Sequence, residues 1–111
     1  MKPADLTGLY SYNGSKELYL VYDAELTLNN CYYVSLTLVN IHGRVKGGHR
    51  KMVELAGKYP IKLALMHLNF DRYCFTKLQV PDQIIQMLLS NDPESQILGY
   101  DLFETHYKQF S

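Results

Sequence analysis

Residues 32–55 read YYVSLTLVNIHGRVKGGHRKMVEL. The stretch begins as a strand: Val34, Leu36 and Leu38 alternate with Tyr33, Ser35, Thr37 and Val39, and β-branched and aromatic residues dominate. A loop follows that carries Gly43, Gly47 and Gly48 together with basic Arg44, Lys46, Arg50 and Lys51. Beyond it Met52, Val53 and Ala56 share one side of a helical pattern. The expectation is a helix opening near Gly48 and ending at Gly57, or at Tyr59 before Pro60. A strand feeding a glycine-rich basic loop and a helix N-terminus is a physical recipe for holding phosphate. Free main-chain N–H groups and the positive end of the helix dipole face the anion, and glycine lets the backbone come close. The plainer reading of the same residues is an ordinary strand-to-helix turn with solvated cations around it.

Upstream, Leu6–Tyr12 reads as a first strand, and Asn13-Gly14 is the strongest hairpin signal in the chain. Leu18 to Leu28 alternates, with Leu18, Leu20, Tyr22, Ala24, Leu26 and Leu28 on a core face. Tyr19, Val21, Asp23, Glu25 and Thr27 form a mixed face. Asn29-Asn30 supplies a second turn, so the first third is an antiparallel meander. Downstream, Ile61–Phe70 fits either a strand or a helix. Tyr73–Val80 reads as a strand, and Pro81–Ser90 as a helix with the apolar stripe Ile84, Ile85, Leu88, Leu89. Asn91-Asp92-Pro93 ends that helix, and Gln96–Tyr107 is expected to be a closing strand. The expected fold is therefore a single α+β domain over residues 1–111. It would have a mixed, mostly antiparallel sheet of five or six strands and two or three helices.

The chain has 111 residues, 47% of them hydrophobic and 20% charged, enough for one buried core and unlike a disordered segment. Lys plus Arg and Asp plus Glu number 11 each, which argues against general nucleic-acid binding. No apolar run approaches membrane-spanning length. The opening MKPADLTG lacks the basic and apolar run of a signal peptide, and Cys31 and Cys74 are two isolated cysteines. A reduced, cytoplasmic protein is the expectation. His42, His49, His67 and His106 have no i, i+4 pairing and no cysteine or carboxylate at metal-ligand spacing, so no metal is expected.

The run from Val34 to Met52 resembles the central motif of the GNAT-type N-acetyltransferases, in which a core strand leads into R/Q-x-x-G-x-G/A and a helix. The matching residues are Arg44-Val45-Lys46-Gly47-Gly48-His49, with His49 where the family has a small residue. Tyr73–Val80, Pro81–Ser90 and Leu98-Gly99-Tyr100 resemble the family's next strand, helix and Gly-aromatic strand. The resemblance implies an acyltransferase-like order of elements and a site for acetyl-coenzyme A. It places the cofactor against Val39, Ile41, Arg44, Lys46, Gly47, Gly48 and His49. Arg44 and Lys46 would meet phosphates and the amides of residues 47–49 would hold the pyrophosphate. It implies acetyl transfer to an amine, for which Asp23 and Glu25 are candidate bases and Tyr100 and Tyr107 candidate acids. The strand and two helices that the family has ahead of the meander are missing, so the chain resembles a truncated member or a relative that has lost catalysis.

A second reading comes from a different class. Small size, neutral charge and the lack of a convergent catalytic set fit a non-catalytic interaction module such as an inhibitor, immunity or accessory factor. Its protein partner would meet a tyrosine-rich sheet face or an exposed edge strand.

Overall fold

The computed structural model describes residues 5–12, 16–27, 29, 31–46, 48–57, 61–66 and 74–107. Seven strands precede two helices: β1 (Gly8–Tyr12), β2 (Leu18–Leu26), β3 (Cys31–Asn40), β4 (Gly43–Arg44), β5 (His49–Gly57), β6 (Lys62–Leu65), β7 (Cys74–Lys77), α1 (Asp82–Leu89) and α2 (Pro93–Tyr107). Every pairing is antiparallel. The sheet runs β1–β2–β3–β5–β6–β7, and β7 pairs back onto β1 through Tyr10↔Lys77, Ser11↔Thr76 and Tyr12↔Phe75. Six strands thus close into a barrel, and β4 is a short hairpin arm on the end of β3.

This overturns the expected open, acyltransferase-like α+β sheet. Two expected elements change type. The segment after Gly48 is strand β5, not a helix: it pairs with β3 from Cys31↔Glu54 to Leu36↔His49, and with β6 from Val53↔Leu65 onward. The segment Gln96–Tyr107 lies in helix α2, not in a closing strand. Closure comes from β7 instead, so no strand is needed after α1. The ambiguous Ile61–Phe70 contains strand β6; residues 67–70, like Asn13-Gly14, Leu28, Asn30 and Tyr73, lie outside the described residues.

The barrel is held by its filling. Leu6, Tyr10, Val21, Tyr32, Val34, Val53, Leu63 and Phe75 form a buried cluster on the inner rows, with Tyr12, Tyr19, Leu36, Leu55, Ile61 and Leu65 against it. Tyr12, Tyr19 and Phe75 meet edge-on or tilted, with centroids 4.9–5.8 Å apart, the offset geometry aromatic quadrupoles prefer. The Tyr10 hydroxyl donates to the Leu6 carbonyl at 2.8 Å, and burial, with the Asp5 carboxylate adding to it, pushes its pKa well above the usual tyrosine value. Barrels of about eight strands are just wide enough for side chains to fill, and the interior of this six-stranded one is occupied by the cluster above. The tyrosine-rich sheet face expected as a partner surface is divided: of the described strand tyrosines, Tyr10, Tyr12, Tyr19 and Tyr32 belong to this interior cluster, whereas Tyr22 lies in the outer cluster beneath the helices and Tyr33 is exposed on the outer side of β3. Closure pairs each barrel strand on both sides, so among the described strands the exposed edge expected as a docking element is left only on the short β4.

A second cluster lies outside the barrel. Leu9, Leu18, Leu20 and Val39 pack beneath Ile84, Ile85, Leu88 and Phe103 of the helical hairpin. The first half of β2 is therefore covered on both sides, which explains the unbroken run Leu18-Tyr19-Leu20-Val21. The face read from sequence as mixed supplies Tyr19 and Val21 to the barrel interior. The face read as core is covered only as far as Tyr22, and Leu26 at its end is exposed. Between these halves β2 carries a bulge at Tyr22/Glu25 with Asp23 at φ 53°. Arg50 of β5 reaches across β3 to fasten it, donating to the Asp23 carbonyl (2.9 Å), Ser35 Oγ and the Tyr33 carbonyl (both 3.3 Å).

Candidate functional site

The β3–β4 hairpin turns through Ile41 and His42, with Asn40 opposite Gly43. Asn40 Oδ1 accepts the His42 N–H at 2.8 Å, and Gly43 takes φ +93°, a conformation side chains disfavour. A Cβ there would also lie 2.8 Å from Gln96 Oε1, so the glycine lets α2 approach the hairpin. The contact is hydrogen-bonded. Gln96, buried on α2, accepts the Arg44 N–H at 2.9 Å and donates through Nε2 to the Ser90 carbonyl at 2.8 Å. Arg44 Nη2 reaches the same carbonyl and Asn91 Oδ1, each at 3.1 Å, while its guanidinium carbon lies 5.6 Å from the Tyr22 ring centroid. Two donors thus satisfy an orphan carbonyl at the C-terminus of α1, where cations are also favoured by the helix dipole. The clamp joins hairpin, barrel and helices. Replacing Gln96 by alanine leaves the Arg44 N–H without its acceptor. It should lower unfolding free energy by about 1–2 kcal/mol in urea titration.

The cofactor residues expected from sequence are distributed by this arrangement. Val39 is buried in the outer cluster beneath the helices. Ile41 is exposed at the hairpin tip. Arg44 is committed to the clamp, and His49 is the first residue of β5. Gly47 lies outside the described residues. Gly48 packs against β3, where an added Cβ would collide with Thr37 Oγ1 and fall 3.1 Å from the Leu36 carbonyl. No helix opens at this loop, so the dipole that made it a phosphate cradle is absent there. Even so, Arg44, Lys46 and Gly48 do line one cleft of about 400 Å³, together with Tyr22, Thr37, His42 and Gln96.

The candidate acid and base groups are not assembled. Asp23 lines a separate cleft with Asp5, Leu6 and Tyr32, and Glu25 faces Arg50 across 3.9 Å in an exposed pair. Tyr100 donates to Glu104 at 2.7 Å; burial first, then that hydrogen bond, push its pKa up to about 12. A phenol so placed holds its proton through the neutral range. The side chain of Tyr107 lies outside the described residues. Among the described residues no three His, Cys, Asp or Glu side chains converge as a metal site, and Cys31 and Cys74 form no disulfide. Among the described residues no helix is long and apolar enough to cross a membrane.

Sequence reasoning missed the second surface feature, a groove of about 560 Å³ along the outer side of α2. Asp92 caps the helix: its carboxylate accepts the Glu94 N–H (3.3 Å) and the Ser95 hydroxyl (3.1 Å), and Pro93 occupies the first turn. Gln96, Gly99 and Phe103 then face inward, and Glu94, Ile97, Leu98, Asp101 and Glu104 face out. Ile97 (43% exposed) and Leu98 (49%) form the apolar floor with Ile41 (63%) of the hairpin tip, and Glu94, Asp101 and Glu104 rim it. Among the described residues no basic side chain lines it. The signal was in the charge pattern: residues 81–107 contain Asp82, Asp92, Glu94, Asp101 and Glu104 but no lysine or arginine, a polarity hidden by the neutral total.

Neither a family model, nor a curated protein, nor a solved structure matches this chain. What the domain does has to be read from these two surface features.

Proposed function

We propose that the chain is a non-catalytic interaction domain whose α2 groove docks a basic amphipathic segment of a protein partner. The observation that carries this reading is the pairing of three exposed aliphatic side chains, from two separate elements, with three carboxylates and, among the described residues, no cation. An apolar floor rewards desolvation, and an acidic rim selects partners bearing lysine or arginine and repels acidic ones. The solid barrel and the clamped hairpin give the groove rigid walls, which limits the ordering cost of binding. An acetyl-coenzyme A site at the Gly48 loop has less support, because the helix N-terminus that would hold its phosphates is a strand.

Two peptides of equal length test it, each with a leucine stripe at helical spacing, one flanked by lysines and one by glutamates. Fluorescence anisotropy should show saturable binding of the lysine peptide that weakens with salt. Leu98→Asp should weaken it roughly tenfold or more, the loss of a central apolar anchor. Equal binding of the glutamate peptide, or indifference to Leu98→Asp, would refute the proposal.

A further inference from the structure

The cleft between the β3–β4 hairpin and the turn joining α1 to α2 has the opposite character from the groove. His42, Arg44 and Lys46 line it, along with Tyr22, Thr37, Asn91 and Gln96, and no carboxylate is among its described lining residues. We propose that this cleft is a binding site for a small phosphate-bearing ligand, separate from the α2 groove. Three features of its construction support this.

The guanidinium of Arg44 is already oriented. Its Nη2 is fixed by Ser90 and Asn91, its guanidinium carbon lies 5.6 Å from the Tyr22 ring centroid, and its buried Nε has no hydrogen-bond partner among the described residues. A planar fork of donors held in place loses little freedom on meeting an oxyanion, which is why arginine suits phosphate. Beside it, Tyr22 and Thr37 offer hydroxyls 3.4 Å apart, either able to donate to the other or outward. Lys46 and His42 are exposed on the same rim, placed to add charge without taking part in the clamp. The opening of about 400 Å³ falls within the range of small-ligand pockets, roughly 300–1,000 Å³, and exceeds what a lone phosphate needs. A phosphomonoester with a polar body of sugar size matches both its volume and its polar lining.

The test uses the full chain with inorganic phosphate, ribose 5-phosphate and, as the uncharged control, ribose. Ribose 5-phosphate should bind saturably at millimolar concentration or below, moving the amide resonances of residues 42–46 and raising the unfolding midpoint. Phosphate should shift the same amides more weakly, and ribose should not. Lys46→Glu and His42→Glu, both at exposed positions outside the clamp, should each weaken binding roughly tenfold while leaving the unfolding midpoint of the free protein in place. Leu98→Asp in the groove should leave it unchanged. Absence of saturable binding overturns the proposal. So does binding that Lys46→Glu leaves intact, binding of ribose as tight as that of its phosphate, or shifts confined to other parts of the surface. Each outcome is independent of whether the α2 groove takes a peptide.

Discussion

Phe75→Ala should cost about 3–5 kcal/mol of stability, the usual penalty for emptying a fully buried aromatic site. Phe75 sits on β7 opposite Tyr12 of β1 and Leu63 of β6, so its ring lies at the seam where the barrel closes. Tyr12 and Tyr19 pack on it at centroid distances of 4.9 and 5.5 Å. Both are long, and their hydroxyl ends limit how far they can slide inward to fill a void. Because domains of this size are stable by only about 5–15 kcal/mol, the urea midpoint should fall by roughly a fifth or more with the slope unchanged. Phe75→Leu, which keeps most of the volume, should lose much less. Tyr33→Ala on the outer face of β3 is the control and should change little. A loss below about 1 kcal/mol for Phe75→Ala would mean that β7 does not close onto β1.

The meander and the first helix were legible because their signals are local. Leu18 to Leu26 and Tyr32 to Asn40 are rich in β-branched and aromatic residues, and Pro81 with Ile84, Ile85 and Leu88 has helical spacing. Barrel closure was not, because it rests on pairing between Ser11 and Thr76, which no local pattern encodes. Its one trace is the run Leu18-Tyr19-Leu20-Val21, apolar on both faces because barrel and helices cover both. β5 hid its alternation for a related reason. Register with β3 puts His49 and Lys51 on the inner row beside Val53, yet both are exposed, so only Val53 and Leu55 report the core. α2 hid its period because Ile97 and Leu98 are apolar on the solvent side, which is also what makes the groove. Its start was legible in Asp92-Pro93-Glu94, a capping residue followed by proline and an acid, but was read as a terminator. At the cleft, the loop with Arg44 and Lys46 was recognised as cationic. Tyr22 and Gln96, the partners that orient Arg44, come from 22 and 52 residues away in sequence and could not be seen from the loop.

Gly48→Ala separates the two readings of the central stretch by sign. In a helix opening at Gly48, alanine in place of glycine should stabilise, by up to about 1 kcal/mol, through its higher helix propensity. In the barrel the new Cβ meets Thr37 Oγ1 and the Leu36 carbonyl. The Thr37 hydroxyl is poorly placed to retreat: its residue is buried, and its oxygen pairs with the Tyr22 hydroxyl. The Leu36 carbonyl belongs to the backbone of β3, so relieving the clash requires β5 to move away from its partner strand. A cost toward the upper end of the overpacking range, about 3 kcal/mol, is expected in urea titration. Thr37→Ser should not rescue it, since the offending oxygen remains, whereas Thr37→Ala combined with Gly48→Ala should recover part of the loss. That recovery, read as a coupling in the double-mutant cycle, would place Gly48 against β3 and exclude a helix N-terminus at the loop. Stabilisation by Gly48→Ala alone would restore the helix, and with it the physical basis of a main-chain phosphate cradle at residues 47–49.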